Sequence, residues 1–190
     1  KIILFADLVN FSAVSEILAV EDIAAMLDRF FEISSRIISD LGGEVNKFIG
    51  DCVMAYFDRD QADNALRACI FISHALSEQR KQATESSAMR FLSCGFGLAQ
   101  GMVIEGNMGS HVKTDYTIIG DAVNTASRLE AMTREVGKSI VLCEKIRQSL
   151  IEEWDLISVG RLQLKGKEKA IEVFYLQHEL VEDFAESLKP

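Results

Sequence analysis

Fifteen residues, GEVNKFIGDCVMAYF from Gly43 to Phe57, constrain this chain more than any other stretch. Two alternating apolar runs flank the pair Gly50-Asp51, and a two-residue Gly-Asp loop between such runs specifies a tight β-hairpin. The ribbon projects the Asp51 carboxylate from its tip and carries Lys47 three residues before the turn. Nearer the start, KIILFADLV reads as a buried strand with Asp7 in an apolar context. A carboxylate there is costly unless a cation meets it. Two strand-end carboxylates that both need a cation suggest a shared Mg²⁺ site for a phosphate substrate. Taken alone, Asp51 also fits a plain turn residue.

At 190 residues with 48% hydrophobic content, the chain can bury a full core as one domain. Its net charge of −9 opposes general binding to nucleic acid or anionic membrane, which need a field of the opposite sign. An acidic protein that handles a polyphosphate must concentrate positive charge locally or recruit metal. No apolar run approaches the roughly 18 residues that span a bilayer. Cys52, Cys69, Cys94 and Cys143 lack C-x-x-C spacing and sit in apolar stretches. They read as small core residues in a reducing, cytoplasmic setting. The chain starts at Lys1, already inside a strand, without initiator methionine or signal peptide, as expected of a domain excised from a longer protein.

Along the chain, 1–9 reads as a strand and 20–41 as an amphipathic helix with Ile23, Met26, Leu27, Phe30, Ile33, Ile37 and Leu41 on one stripe. Gly42-Gly43 closes it as a C-cap. The hairpin follows, then a helix near 61–82, a strand pair through 91–105, a polar glycine-bearing arm over 106–114 and a helix near 121–134. Strand-like pieces at 139–142 and 160–176 complete the sheet, with a short helix, 144–152, between them. Strand, helix, hairpin, helix, strand is the ferredoxin-like βαββαβ plan of an α+β fold, here with extra C-terminal strands and helices. A single unit over 1–190 is expected, with a core to residue 178 and a tail over 179–190.

In GDAVNTASRLEAM, Asn124 and Arg128 are four apart on one helix face, while Ala122, Val123, Ala126 and Leu129 cluster on the other. An amide and a guanidinium aimed the same way suit a ribose and a phosphate. The same pair also fits a solvated helix face. Lys165, Lys167 and Lys169 alternate in LKGKEKAIEV and equally fit an edge-strand charge device. Ser12, after Phe11, reads as a residue that helps start a helix. His74, His111 and His178 lack metal spacing.

The motifs FADLVNFS, GGEVNKFIGDCVMAYF, TDYTIIGDAVNTASRLE and LKGKEKAIEV occur in the order in which the catalytic domain of class III nucleotidyl cyclases carries its signatures. The chain resembles that family over nearly its whole length, and within it the cyclase domains fused to blue-light BLUF photoreceptors in photoactivated adenylyl cyclases. The resemblance implies an ATP-to-cyclic-AMP reaction at the interfaces of a wreath-like homodimer, governed by a sensor domain N-terminal to this chain. It implies that Asp7, Asp51 and the backbone carbonyl of Leu8 hold two Mg²⁺ ions, with Mn²⁺ as a substitute. Lys47 and Thr117 of the second protomer would read the base and Lys165 would bind the triphosphate. Asn124 would orient the ribose, Arg128 would stabilise the transition state, and Phe11 and Ser12 would line the substrate site. The ribose 3′-oxygen displaces pyrophosphate from the α-phosphorus.

Two positions depart from the family pattern. Many relatives carry a phosphate-binding arginine where this chain has Gly95, which shifts weight onto metal, backbone amides and Lys165. Thr117 stands where other cyclases place an aspartate against the adenine amine, and its hydroxyl can accept that hydrogen bond; Asp115 lies outside this alignment. Other readings are a guanylyl cyclase, a diguanylate-cyclase-like enzyme or a non-catalytic dimerisation module. Against the second, the hairpin lacks a GG[DE]EF signature; against the third, Asp7, Asp51, Asn124 and Arg128 are all retained.

Overall fold

In the computed structural model, which describes residues 1–110, 112, 114–163, 170–177 and 184, the chain builds one seven-stranded sheet and a separate two-stranded ribbon. The order of elements is β1 (Ile2–Leu8), α1 (Phe11–Ile17), α2 (Val20–Asp40), β2 (Glu44–Ile49), β3 (Cys52–Phe57), α3 (Ala62–Gln82), β4 (Cys94–Gln100), β5 (Ile104–Gly109), β6 (Thr114–Ile119), α4 (Asp121–Val136), β7 (Ile140–Cys143), α5 (Glu144–Ser149), β8 (Leu156–Leu162) and β9 (Ile171–Leu176). The sheet runs β2-β3-β1-β4-β7-β9-β8 and the ribbon is β5-β6. The α+β plan expected from the sequence is the one observed.

β1 is the central apolar strand: Ile2, Ile3, Leu4 and Ala6 are fully buried, as a strand covered on both faces requires. It is antiparallel to β3 on one side and β4 on the other. α2 buries Met26, Phe30, Ile33, Ser34 and Ile38. Leu27, Ile37 and Leu41 of the expected stripe pack against the core partly buried, and Ile38 joins them fully buried. Gly42 at φ 82° ends the helix, and Gly43 N–H donates back to the Ile38 carbonyl at 2.9 Å, the C-terminal wrap that glycine permits.

Three expected boundaries differ. The strand pair drawn through 91–105 does not exist: β4 ends at Gln100, and β5 pairs with β6 rather than with β4. Half of the expected polar arm is therefore strand, because Gly106 to Gly109 continue β5. The expected strand at 160–176 is two strands, β8 and β9, paired antiparallel. Ser12 does not cap α1: Asn10, at φ 56°, is the N-cap and no side chain caps the helix, while Ser12 lies inside it. Cys69, Cys94 and Cys143 are buried and Cys52 half-buried, all as free thiols. Among the described residues no helix is long and apolar enough to cross a membrane.

Candidate active site

Asp7 is one residue from the end of β1, opposite Cys52 on β3 and Gly95 on β4. The Gly50-Asp51 turn, with Gly50 at φ 63°, closes β2 onto β3 immediately before Cys52 and so brings Asp51 beside Asp7. Both carboxyls are held above the ordinary carboxylate range. Burial is the main cause for each, and the Asp51 charge pushes Asp7 further.

The cation that Asp7 requires is Arg134, near the end of α4. Its Nη2 donates to Asp7 Oδ2 at 2.8 Å and to the Leu8 carbonyl at 3.4 Å. Its Nη1 donates to the carboxylate of Glu130, one turn earlier. Glu130 is only 7% exposed. Burial pushes its carboxyl up to about 7, although Arg134 pulls it down. Sequence reasoning missed both residues. The signal was present, since an acid and a base four apart on the α4 face shared with Ala126 and Leu129 must neutralise one another to be buried.

Gly95 explains how α4 comes so close. A β-carbon there would lie 2.5 Å from Thr133 Oγ1 and 2.9 Å from Glu130 Oε1. The room a side chain would need at this position is filled from above by α4, and the positive charge beside Asp7 comes from the helix instead of the strand.

Lys47 reaches the Asp7 face through an irregularity in β2. Val45 pairs with Ala55 and Lys47 with Met54, so Asn46 is an extra, bulged residue. Side chains of paired residues share a face, and Met54 shares one with Cys52 and hence with Asp7. The bulge thus turns Lys47 toward the Asp7 face while Val45 takes the other. Phe48 turns to that other face, where its ring stacks on Phe31 of α2 at 4.2 Å between centroids. Thr117 is half-buried on β6, which adjoins β2. Tyr56 ties the ribbon down, its hydroxyl meeting Glu44 at 2.6 Å and Glu105 of β5 at 3.3 Å.

Asn124 and Arg128 share the outer face of α4, while Ala122, Thr125, Ala126, Leu129 and Glu130 are buried beneath it. Arg128 lies roughly 9 Å along the axis from Arg134, and Asn124 roughly 15 Å, at 1.5 Å per residue. One chain therefore brings together Asp7, Leu8 and Asp51, with half-buried Phe11 and exposed Ser12 on the adjoining α1. Asn124 and Arg128 stand apart from that cluster. Lys165 lies outside the described residues, as do Lys167, Lys169, His111 and His178. A cavity of about 350 Å³ at the other end of α4, lined by residues including Gln100, Asp121, Thr125 and Lys145, contains none of the expected site residues.

Among the described residues no three His, Cys, Asp or Glu side chains cluster as a metal cage. Two carboxylates and a carbonyl form an oxygen-only set, which fits Mg²⁺: that ion keeps water and takes phosphate oxygens for its remaining positions. The guanidinium already standing against Asp7 and the Leu8 carbonyl shows that these oxygens favour a cation.

Comparison with known proteins identifies the family. An adenylate cyclase of Anabaena cylindrica is 33% identical over 178 residues, covering 90% of this chain and 36% of that protein. The photoactivated adenylate cyclase subunit alpha of Euglena gracilis is 33% identical over 150 residues, covering 78% of this chain and 15% of that protein. The chain thus spans about a third or less of these relatives. Among solved structures, a bacterial light-regulated adenylyl cyclase superposes with a TM-score of 0.89 at 38% identity, over 99% of this chain and 57% of that one. The similarity to light-regulated cyclases expected from the motifs is thereby borne out. The family model for the adenylate and guanylate cyclase catalytic domain matches residues 2–178, and the chain belongs to that family.

Proposed function

We infer that this chain is the catalytic domain of an adenylyl cyclase that works as a homodimer, with an attached sensor setting its activity. The observation that carries this reading is the division of the site: Asp7, Leu8 and Asp51 at one place and Asn124 with Arg128 on a separate helix face. Two copies related by a two-fold axis can join one cluster to the other twice. Exposed Phe48, Ile49, Met102, Ile104 and Ile119, on the hairpin and around the ribbon, supply apolar surface for such a contact.

In this reading Asp7, Asp51 and the Leu8 carbonyl hold two Mg²⁺ ions, for which Mn²⁺ substitutes. When bound, the metal lowers the pKa of the ribose 3′-hydroxyl and neutralises charge on the pyrophosphate leaving group. Lys47 of the second copy donates to adenine N1, and the Thr117 hydroxyl accepts from the adenine amine. Asn124 fixes the ribose so that its 3′-oxygen lies in line with the α-phosphorus. Arg128 donates to the α-phosphoryl oxygens as charge develops there. Lys165 binds the triphosphate, and Phe11 and Ser12 line the site. A change of angle between protomers separates the two clusters, which gives a sensor control of turnover without contact with any reacting group.

Complementation tests the assignment. Asp7→Ala and Arg128→Ala homodimers are each expected to be inactive with ATP and Mg²⁺. Mixing them forms heterodimers in which one site collects both lesions and the other is intact, so cyclic AMP production returns. Absence of rescue despite demonstrated subunit exchange would place each site within a single chain.

A further inference from the structure

Arg134 stands against two of the oxygens that the proposed function takes as metal donors, Asp7 and the Leu8 carbonyl, and its role rests on that reading. Nη2 of Arg134 addresses both of those oxygens, at 2.8 and 3.4 Å. Nη1 bonds the Glu130 carboxylate and lies 3.4 Å from the Glu130 carbonyl. The guanidinium therefore bridges a buried acid on α4 and the end of β1. Mg²⁺ takes its oxygen donors at roughly 2.0–2.1 Å. An ion bound through Asp7 Oδ2 would then stand within about 5 Å of Nη2, close enough for its charge and that of the guanidinium to repel. The guanidinium and the ion therefore compete for these oxygens.

We propose that Arg134 is a latch on the metal site: its guanidinium holds Asp7 and the Leu8 carbonyl in the metal-free protein, and a loading divalent cation displaces it onto Glu130. Glu130 suits the receiving role, because it already bonds Nη1 and lies one helical turn away on the same face. Gly95 makes the arrangement possible, since a β-carbon there would meet both Thr133 and Glu130. Metal binding is thus an exchange of one cation for another. The affinity observed is the intrinsic affinity reduced by the fraction of molecules in which the latch is open. Arg134 is on this account a positioning residue that sets the metal concentration at which the site fills.

Direct titration with Mn²⁺ alone, read by the electron paramagnetic resonance of the free ion and without nucleotide, tests the latch. Arg134→Met is expected to bind Mn²⁺ at least tenfold more tightly than the parent, and Asp7→Asn more weakly. Should Arg134→Met fail to fold because Glu130 is left unpaired, the double variant Arg134→Met/Glu130→Gln removes that charge and carries the same expectation. Binding by the latch variant that is equal to or weaker than the parent's overturns the proposal. Unchanged binding in Asp7→Asn would instead show that the ion is not at Asp7, which refutes the metal-site reading beneath it.

Discussion

A β-carbon on Gly97 would stand 2.1 Å from the carbonyl oxygen of Ala126, so β4 and α4 meet backbone to backbone at this pair. Gly97→Ala must lift α4 from the sheet, and with it Asn124, Arg128 and Arg134. A loss of about 1–3 kcal/mol is expected from overpacking of this kind, measured by urea denaturation, together with a fall in cyclase activity. Gly106→Ala is the control, because an added carbon there meets nothing within 4 Å. Equal stability of the two variants would contradict the close approach.

Stability is expected to fall as pH rises through the range in which Glu130 ionises. Burial raises this carboxyl from 4.5 to about 7, so the folded state favours the protonated form. Below pH 4.5 that contribution is fully present, and it is lost as pH climbs toward 7. Asp7 and Asp51 act in the same sense, since both are raised. Thermal melting between pH 4.5 and 7.5 should show the decline, and Glu130→Gln should flatten it. A decline of the same size in Glu130→Gln would assign the effect elsewhere.

Asp63, only 8% exposed, accepts from the backbone N–H of Ile151 and Glu152 at 2.9 and 3.1 Å and from Trp154 Nε1 at 2.8 Å. Asp63→Ala leaves three donors without this partner, and because Ile151 and Glu152 are exposed and water can reach their N–H groups, the loss expected is about 1 kcal/mol in all. Trp154 is the chain's only tryptophan, so its fluorescence reports the site directly. Expected are a lower urea midpoint and altered native emission. An unshifted midpoint would show that water replaces the carboxylate at no cost.

Base choice should follow Lys47 and Thr117. Guanine presents the reverse hydrogen-bonding edge to adenine, leaving each mismatched group unpaired at about 1–3 kcal/mol. Lys47→Glu with a small polar residue at Thr117 should therefore move preference toward GTP by at least about tenfold. Product ratios from ATP and GTP decide it, and an unchanged ratio after Lys47→Glu would dismiss the scheme.

Much of this architecture was legible because its signals are local. The Gly50-Asp51 turn, the Gly42-Gly43 helix end and the continuous apolar run of β1 each follow from a few neighbouring residues, and all three stand as read. The partner of Asp7 did not, because Arg134 is 127 positions away and only the packing of α4 on the side-chain-free strand at Gly95 and Gly97 makes them neighbours. The β5-β6 pairing was missed for a related reason. Glycine and polar residues weaken the strand pattern over Gly106 to Gly109, and the contacts of Tyr56 and Tyr116 with Glu105 help hold the ribbon in place.

Asn46 divides β2 into two phases. Downstream of it, Lys47 and Ile49 keep their faces by counting back from the turn; upstream, Glu44 and Val45 keep theirs by counting forward from the end of α2. Deleting Asn46 would preserve every pairing from Glu44 with Tyr56 to Ile49 with Cys52, in a strand one residue shorter. Inserting a residue between Lys47 and the turn would instead carry the lysine to the opposite face, onto the side where Phe48 meets Phe31. The hairpin can therefore lose length at one point without losing its chemistry, and it can gain none beyond that point.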